Sequence, residues 1–167
     1  MVKINQVEFL EKQTLDAYHW SKTLVSQIPE KYWEEEVPVI DSSISWQVGH
    51  LVTHTYLHAI ITITGHQSHI LEQVPIKTYD RLYKDNYSGT HPEKPENLSN
   101  HLDQIQLESL GILRQLTTQD LLKPLEPTRT PHPVAKTKFE SLDWNIKHTM
   151  WHCGQIATMA RVLKQAK

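Results

Sequence analysis

Among 167 residues the chain carries eleven histidines, and the spacing of three of them suits a metal site. His148 and His152 are four residues apart, so on a helix they stand one above the other on a single face. Trp144, Ile156, Met159 and Leu163 share that side, whereas Asp143, Lys147, Thr158 and Arg161 lie opposite. Both imidazoles therefore face a core, where an unpartnered polar nitrogen costs about 1–3 kcal/mol. His50 stands in the same situation, with Trp46, Leu57 and Ile61 on its face, while His54 and His58 follow at one-turn intervals and drift toward its edge. One divalent ion held by His148 and His152 from one helix and by His50 from a facing helix would satisfy all three. It would leave a fourth position for water or substrate. Spacing alone leaves a second reading open. In so histidine-rich a chain the pairs 50/54, 54/58 and 148/152 all occur, and a core-facing pair can instead be held by buried water or carbonyl oxygens. No HExxH is present, which excludes the familiar helix-borne zinc-protease arrangement.

Those histidines need helices to position them, and the punctuation supplies four long ones. The first runs from about Ile4 to Gln27, with Val7, Leu10, Leu15, Tyr18 and Leu24 as its apolar stripe and Pro29 after its end. The second runs from about Ser43 to Thr64, with Ser42 or Ser43 as N-cap and Gly65 where a positive-φ terminator is wanted. The third covers about Glu96 to Leu116, with Leu98, Leu102, Ile105, Ile112 and Leu116 facing the core, and Leu121 and Leu122 add an extra turn. Thr137-Lys-Phe-Glu140 is a capping box opening the last helix, which runs to about Lys164. Between the second and third helices, His66 to Pro95 is long for a compact domain and serves as a crossover or a functional loop. Four amphipathic helices and no alternating strand pattern predict an all-α fold, a four-helix bundle with one long crossover, as a single domain over residues 1–167. Gly154, costly inside a helix, predicts a close helix crossing there. Cys153 reads as a small core residue.

Composition narrows the partners. Lys plus Arg total 17 against 19 Asp plus Glu, a net charge of -2, and no segment forms a basic stripe, so nucleic acid is not expected. The apolar-leaning run from Ile44 to Ile63 is broken by Gln47, His50, His54 and His58, so no membrane span is expected. Met1 to Leu10 lacks a continuous apolar run, and the single cysteine excludes an internal disulfide. Both features fit a cytoplasmic protein.

Two segments carry a resemblance. Ser45-Trp-Gln-Val-Gly-His-Leu51 and His148-Thr-Met-Trp-His-Cys-Gly-Gln155 resemble the DinB family, the damage-inducible, YfiT-like group described as metal-dependent hydrolases. The resemblance spans helix order, both motifs and their separation; residues 67 to 133 carry no matching motif. It implies a four-helix bundle with a long crossover and a three-histidine metal site mapping to His50, His148 and His152. His54, one turn on, could replace or support His50. Gln155, three residues past His152, could orient a ligand or bound water, or simply pack at a helix seam. The implied cofactor is one divalent ion, zinc or nickel.

Two chemistries follow from three neutral histidines around such an ion. One is hydrolysis by metal-activated water. The other is transfer of a low-molecular-weight thiol held as thiolate, the activity toward which the better understood relatives lean. A non-catalytic metal-binding or dimeric structural bundle is the competing reading. The resemblance also implies a homodimer, with Ile60, Ile63 and Val52, away from His50, as surplus apolar surface. Segments 67–95 and 117–137 are either ordinary packed crossovers or the chain available to build a lid, in which Tyr79, Arg81, Tyr83, Tyr87 and Arg129 could contact an aromatic or acidic substrate.

Overall fold

Each long helix begins where a side chain can satisfy its exposed amides. In the computed structural model, which describes residues 5–85 and 93–165, Asn5 accepts from the Val7 amide at 3.0 Å and opens α1 (Gln6–Ser26). Ser43 accepts from the Trp46 amide at 3.2 Å and opens α2 (Ile44–Tyr56). α2 continues without a break through a π-helical stretch, Leu57–Ile61, into a last α turn, Thr62–Thr64. Gly65 then takes φ 79°, a conformation that favours glycine, and ends it. The freed carbonyls of the wider π turn find hydroxyls: Thr62 Oγ1 donates to the Leu57 oxygen at 2.9 Å, and Ser141 Oγ to that of His58 at 2.7 Å. After α3 (Ser68–Gln73) and α4 (Ile76–Tyr83) come α5 (Pro95–Arg114), the single turn α6 (Thr118–Leu121) and α7 (Lys138–Gln165). The capping box of α7 is formed as expected. Glu140 accepts from the Thr137 amide at 3.1 Å, and Thr137 Oγ1 accepts from the Glu140 amide at 3.3 Å. The described residues are all-helical, with isolated bridges only at Val37–Ser42 and Pro124–Thr137. None of their helices is long and apolar enough to cross a membrane.

The long helices bury one another's apolar stripes: α1 packs on α7 and α5, and α2 packs on α5, α4 and α7. A polar tie fixes their relative heights, since Tyr18 on α1 contacts Ser109 on α5 at 2.7 Å and accepts from Asn145 on α7 at 3.0 Å. The α1 stripe differs from the expected one. Leu10, Thr14, Ala17, Tyr18, Ser21 and Val25 are buried, while Leu15 is exposed.

Three expectations are corrected here. Ile60, Ile63 and Val52 are fully buried within the single chain: Val52 and Ile60 pack in the cluster that contains α4 and α5 residues, and Ile63 packs with Leu10, Leu113, Leu121 and Leu142. They provide no surface for a second copy. The described part of the crossover packs into the core, where Tyr79 and Tyr83 are buried with Ile70 and Ile76. Arg81 and Arg129 are exposed, and Tyr87 lies outside the described residues. The close crossing falls at Gly49, not Gly154. A Cβ on Gly49 would stand 2.3 Å from Cδ2 of Tyr83, whereas nothing lies within 4 Å of one on Gly154.

Candidate metal centre

His50 on α2 and His148 and His152 on α7 are each buried and meet between the two helices. Nε2 of His148 lies 3.3 Å from Nε2 of His50 and 3.3 Å from Nε2 of His152. The protons sit elsewhere on two of these rings. His50 Nδ1 donates to the Tyr83 carbonyl at 2.5 Å, and a carbonyl can only accept, so Nε2 of His50 is a bare lone pair. His152 Nδ1 donates to Gln47 Oε1 at 2.5 Å. The amide of Gln47 is oriented in turn by Ser42. That hydroxyl donates to the Ser43 carbonyl and so accepts from Gln47 Nε2 at 3.1 Å. Two lone pairs thus face one nitrogen, and a single proton on His148 would serve both poorly. A cation would meet all three. With metal–nitrogen bonds of about 2.0–2.1 Å, a tetrahedral site has nitrogen–nitrogen edges of about 3.3–3.4 Å, and the two separations from His148 have that length.

A second row of histidines adjoins the first. His54 stacks on His50, ring centroids 3.9 Å apart, and on His148 at 4.8 Å. One nitrogen from each of His50, His54 and His148 lies within 4.8 Å of the others, a group that could hold a metal ion. His54 Nδ1 contacts His58 Nε2 at 3.2 Å, and His58 Nδ1 contacts His132 Nε2 at 2.8 Å. His132 Nδ1 accepts from the backbone amides of Ala135, at 2.9 Å, and Val134, at 3.3 Å. Amides only donate, so the order of protons along this row is fixed from its outer end. His132 carries its proton on Nε2 and gives it to His58 Nδ1. His58 carries its own on Nε2 and gives it to His54 Nδ1. His54, neutral, is left with its proton on Nε2.

Neutrality is what the surroundings enforce. Burial pushes His50 down to about 4, against the upward pull of the Tyr83 carbonyl and the Asp85 carboxylate. Burial, reinforced by neighbouring imidazoles, takes His148 to about 3 and His152 and His58 to about 2. His54 and His132 are also lowered by burial. Neutral imidazole is the form that binds a metal.

The centre opens on a cleft of about 320 Å³ lined by His50, His148 and His152 with Trp46, Trp151, Gln155, Asp41 and Asp85. Burial also raises the Cys153 thiol to about 11, in keeping with a core residue. Sequence reasoning placed Gln155 beside the ligands, but Gln47 is the amide that holds His152. Gln155 instead lines the cleft, its buried Oε1 without a hydrogen-bond partner among the described residues. Gln47 was discoverable, since it sits three residues before His50 and so shares its side of the helix. The Tyr83 carbonyl and His132 carry no periodic signal and were not.

A sequence model of the DinB superfamily matches residues 7–156. The fold is similar to that of a conserved protein from Enterococcus faecalis known from its crystal structure. The identity is 15% and the TM-score 0.60, with 99% of this chain and 100% of that one covered; this likeness speaks for the fold alone. A comparison with curated proteins gives no match. The family match spans nearly the whole chain, and the chain belongs to the DinB superfamily.

Proposed function

We propose that this DinB-superfamily chain is a metal-dependent enzyme acting on a small molecule. In this reading residues 1–167 form a single four-helix bundle of α1, α2, α5 and α7, with a long crossover. His50, His148 and His152 hold one divalent ion, zinc or nickel, and leave a coordination position toward the cleft. The observation that carries the reading is the pair of Nε2 lone pairs, fixed by the Tyr83 carbonyl and Gln47, converging on His148 at 3.3 Å each. His54 competes for the third place, but its Nε2 carries a proton and its Nδ1 is taken by His58, so it is a neighbour and not a ligand.

When bound, an ion with three neutral ligands makes a coordinated water or thiol acidic near neutral pH. The chain's own residues do the rest. Gln47 and Tyr83 keep the ligand rings in the binding tautomer. Trp46 and Gln155, each with a buried polar atom lacking a partner among the described residues (Nε1 and Oε1), are the groups a substrate would satisfy. Trp151, 63% exposed, walls the entrance.

The reaction is hydrolysis or thiol transfer, and one preparation separates them. Loaded with Co(II), the protein should develop a thiolate-to-cobalt band with a small thiol, and His148→Ala should abolish it. Metal-dependent hydrolysis of a generic ester without any thiol response would assign the hydrolase branch. Neither response would return the chain to a non-catalytic role. For that role, and for a homodimer, the supporting observation is an exposed apolar pair on one face of α1, Phe9 and Trp20, 51% and 53% exposed. Light scattering on Trp20→Glu against the parent would test it.

A further inference from the structure

The cleft has a charge pattern that the metal reading does not use. Asp41 and Asp85 both line it, and among the described residues no lysine or arginine does. Neither carboxylate has a hydrogen bond or ion pair among the described residues. Each lies within two residues of one that supports the centre. Asp41 precedes Ser42, which orients Gln47 against His152. It is fixed there, held at φ 55° by its amide's bond to the Val37 oxygen at 2.9 Å. Aspartate tolerates that conformation better than most residues. Asp85 lies two residues beyond Tyr83, whose carbonyl holds His50, and its carboxylate acts on His50 directly. Trp151 offers the entrance an exposed aromatic face, well suited to a cation.

We propose that the cleft selects a small molecule with two ends: a soft or anionic head for the ion and a cationic group, such as an ammonium, for Asp41, Asp85 and Trp151. The inference rests on the metal reading above and adds the substrate's charge to it. The reasoning is one of balance. Three neutral imidazoles leave the ion's charge for the head to meet, and two unpaired carboxylates a short distance outward leave a negative field for the tail. A doubly anionic molecule meets that field with the wrong sign. Both aspartates are exposed, so the preference is moderate.

The test uses the full chain loaded with Co(II) and three thiols of similar size: cysteamine, 2-mercaptoethanol and 3-mercaptopropionate. Titration of the charge-transfer band should rank them in that order, with cysteamine binding about tenfold more tightly than 3-mercaptopropionate. Asp41→Asn combined with Asp85→Asn should bring the first and last within about twofold while leaving cobalt stoichiometry unchanged. Raising the salt concentration should shrink the gap in the parent and not in the variant. Equal affinities in the parent, or a preference for the anionic thiol, would overturn the inference while leaving the metal reading intact. Absence of any band with all three thiols would count against the thiol branch. The charge preference is then read from quenching of tryptophan fluorescence by the same compounds, where an equal response to cysteamine and 3-mercaptopropionate again overturns it.

Discussion

His50 and His54 occupy successive turns of one helix, stacked 3.9 Å apart, yet they present opposite chemistry to the space between α2 and α7. The row made by His50, His148 and His152 ends on acceptors: a backbone carbonyl at one ring and a glutamine oxygen at another. Its protons are drawn outward and its lone pairs point in. The row made by His54, His58 and His132 ends on donors, the amides of Val134 and Ala135, and its protons are passed inward. Residue type and one-turn helical spacing recur in both rows, although His54 and His132 are only half-buried. The two rows differ in what touches the far nitrogen, and on the proposed reading that contact separates a ligand from its neighbour.

The comparison can be broken at its supports. The largest effect is expected from Gly49→Ala. Its Cβ would meet the ring of Tyr83, a fully buried side chain with little room to move, and would push away the carbonyl that holds His50. Chemical denaturation should show a loss of about 1–3 kcal/mol, with weaker metal binding as well. Gln47→Leu removes the acceptor on His152 while keeping the volume, and metal affinity by competition with a chelator should fall about 10–100-fold. His132→Ala, which removes the donor-anchored end of the other row, should leave metal affinity nearly unchanged.

Acid sharpens the contrast in the metal-free protein. His50 lies near 4 and His148 near 3 when folded, below the ordinary value of about 6.5 for an unfolded chain. Between those limits the unfolded state binds more protons, so stability falls as pH drops through that window. The melting temperature of metal-free protein should be at least about 5 °C lower at pH 5 than at pH 7.5. Bound metal should raise the melting temperature at both pH values without shrinking that difference, because the folded imidazoles are already unprotonated there and the protons are taken up by the unfolded chain. The smallest effect is expected from Gly154→Ala. With open space at that position, the change should stabilise the chain by up to about 1 kcal/mol.

Much of the fold was legible because it is written locally. Ser43, Gly65 and the Thr137–Glu140 box act within a few residues of themselves, and each terminates a helix where expected. Positions that depend on distant chain were misread. The covered side of α2 looked solvent-facing because Ile60 is buried in the cluster that holds Tyr79 and Tyr83, and Ile63 in the one that holds Leu10, Leu113 and Leu142, which no periodicity within α2 reveals. Gly154 drew attention as a helical glycine, while Gly49, where the backbone needs one, is distinguished only by Tyr83 from the crossover. At the candidate site, the inward placement of His50, His148 and His152 was legible from face and spacing. The donors and acceptors that set their tautomers were not, since the Tyr83 carbonyl and His132 come from segments without regular pattern.

The central claim, on the proposed reading, is that His50 and His152, each backed by an acceptor, bind the ion together with His148, and that donor-backed His54 does not. Elemental analysis of purified protein, dialysed against excess metal and then freed of it, tests this most directly across four chains. The parent and His54→Ala should each retain close to one ion per chain. His148→Ala and His152→Ala should each retain nearly none. Full retention in His152→Ala together with loss in His54→Ala would assign the ion to His50, His54 and His148, and contradict the claim.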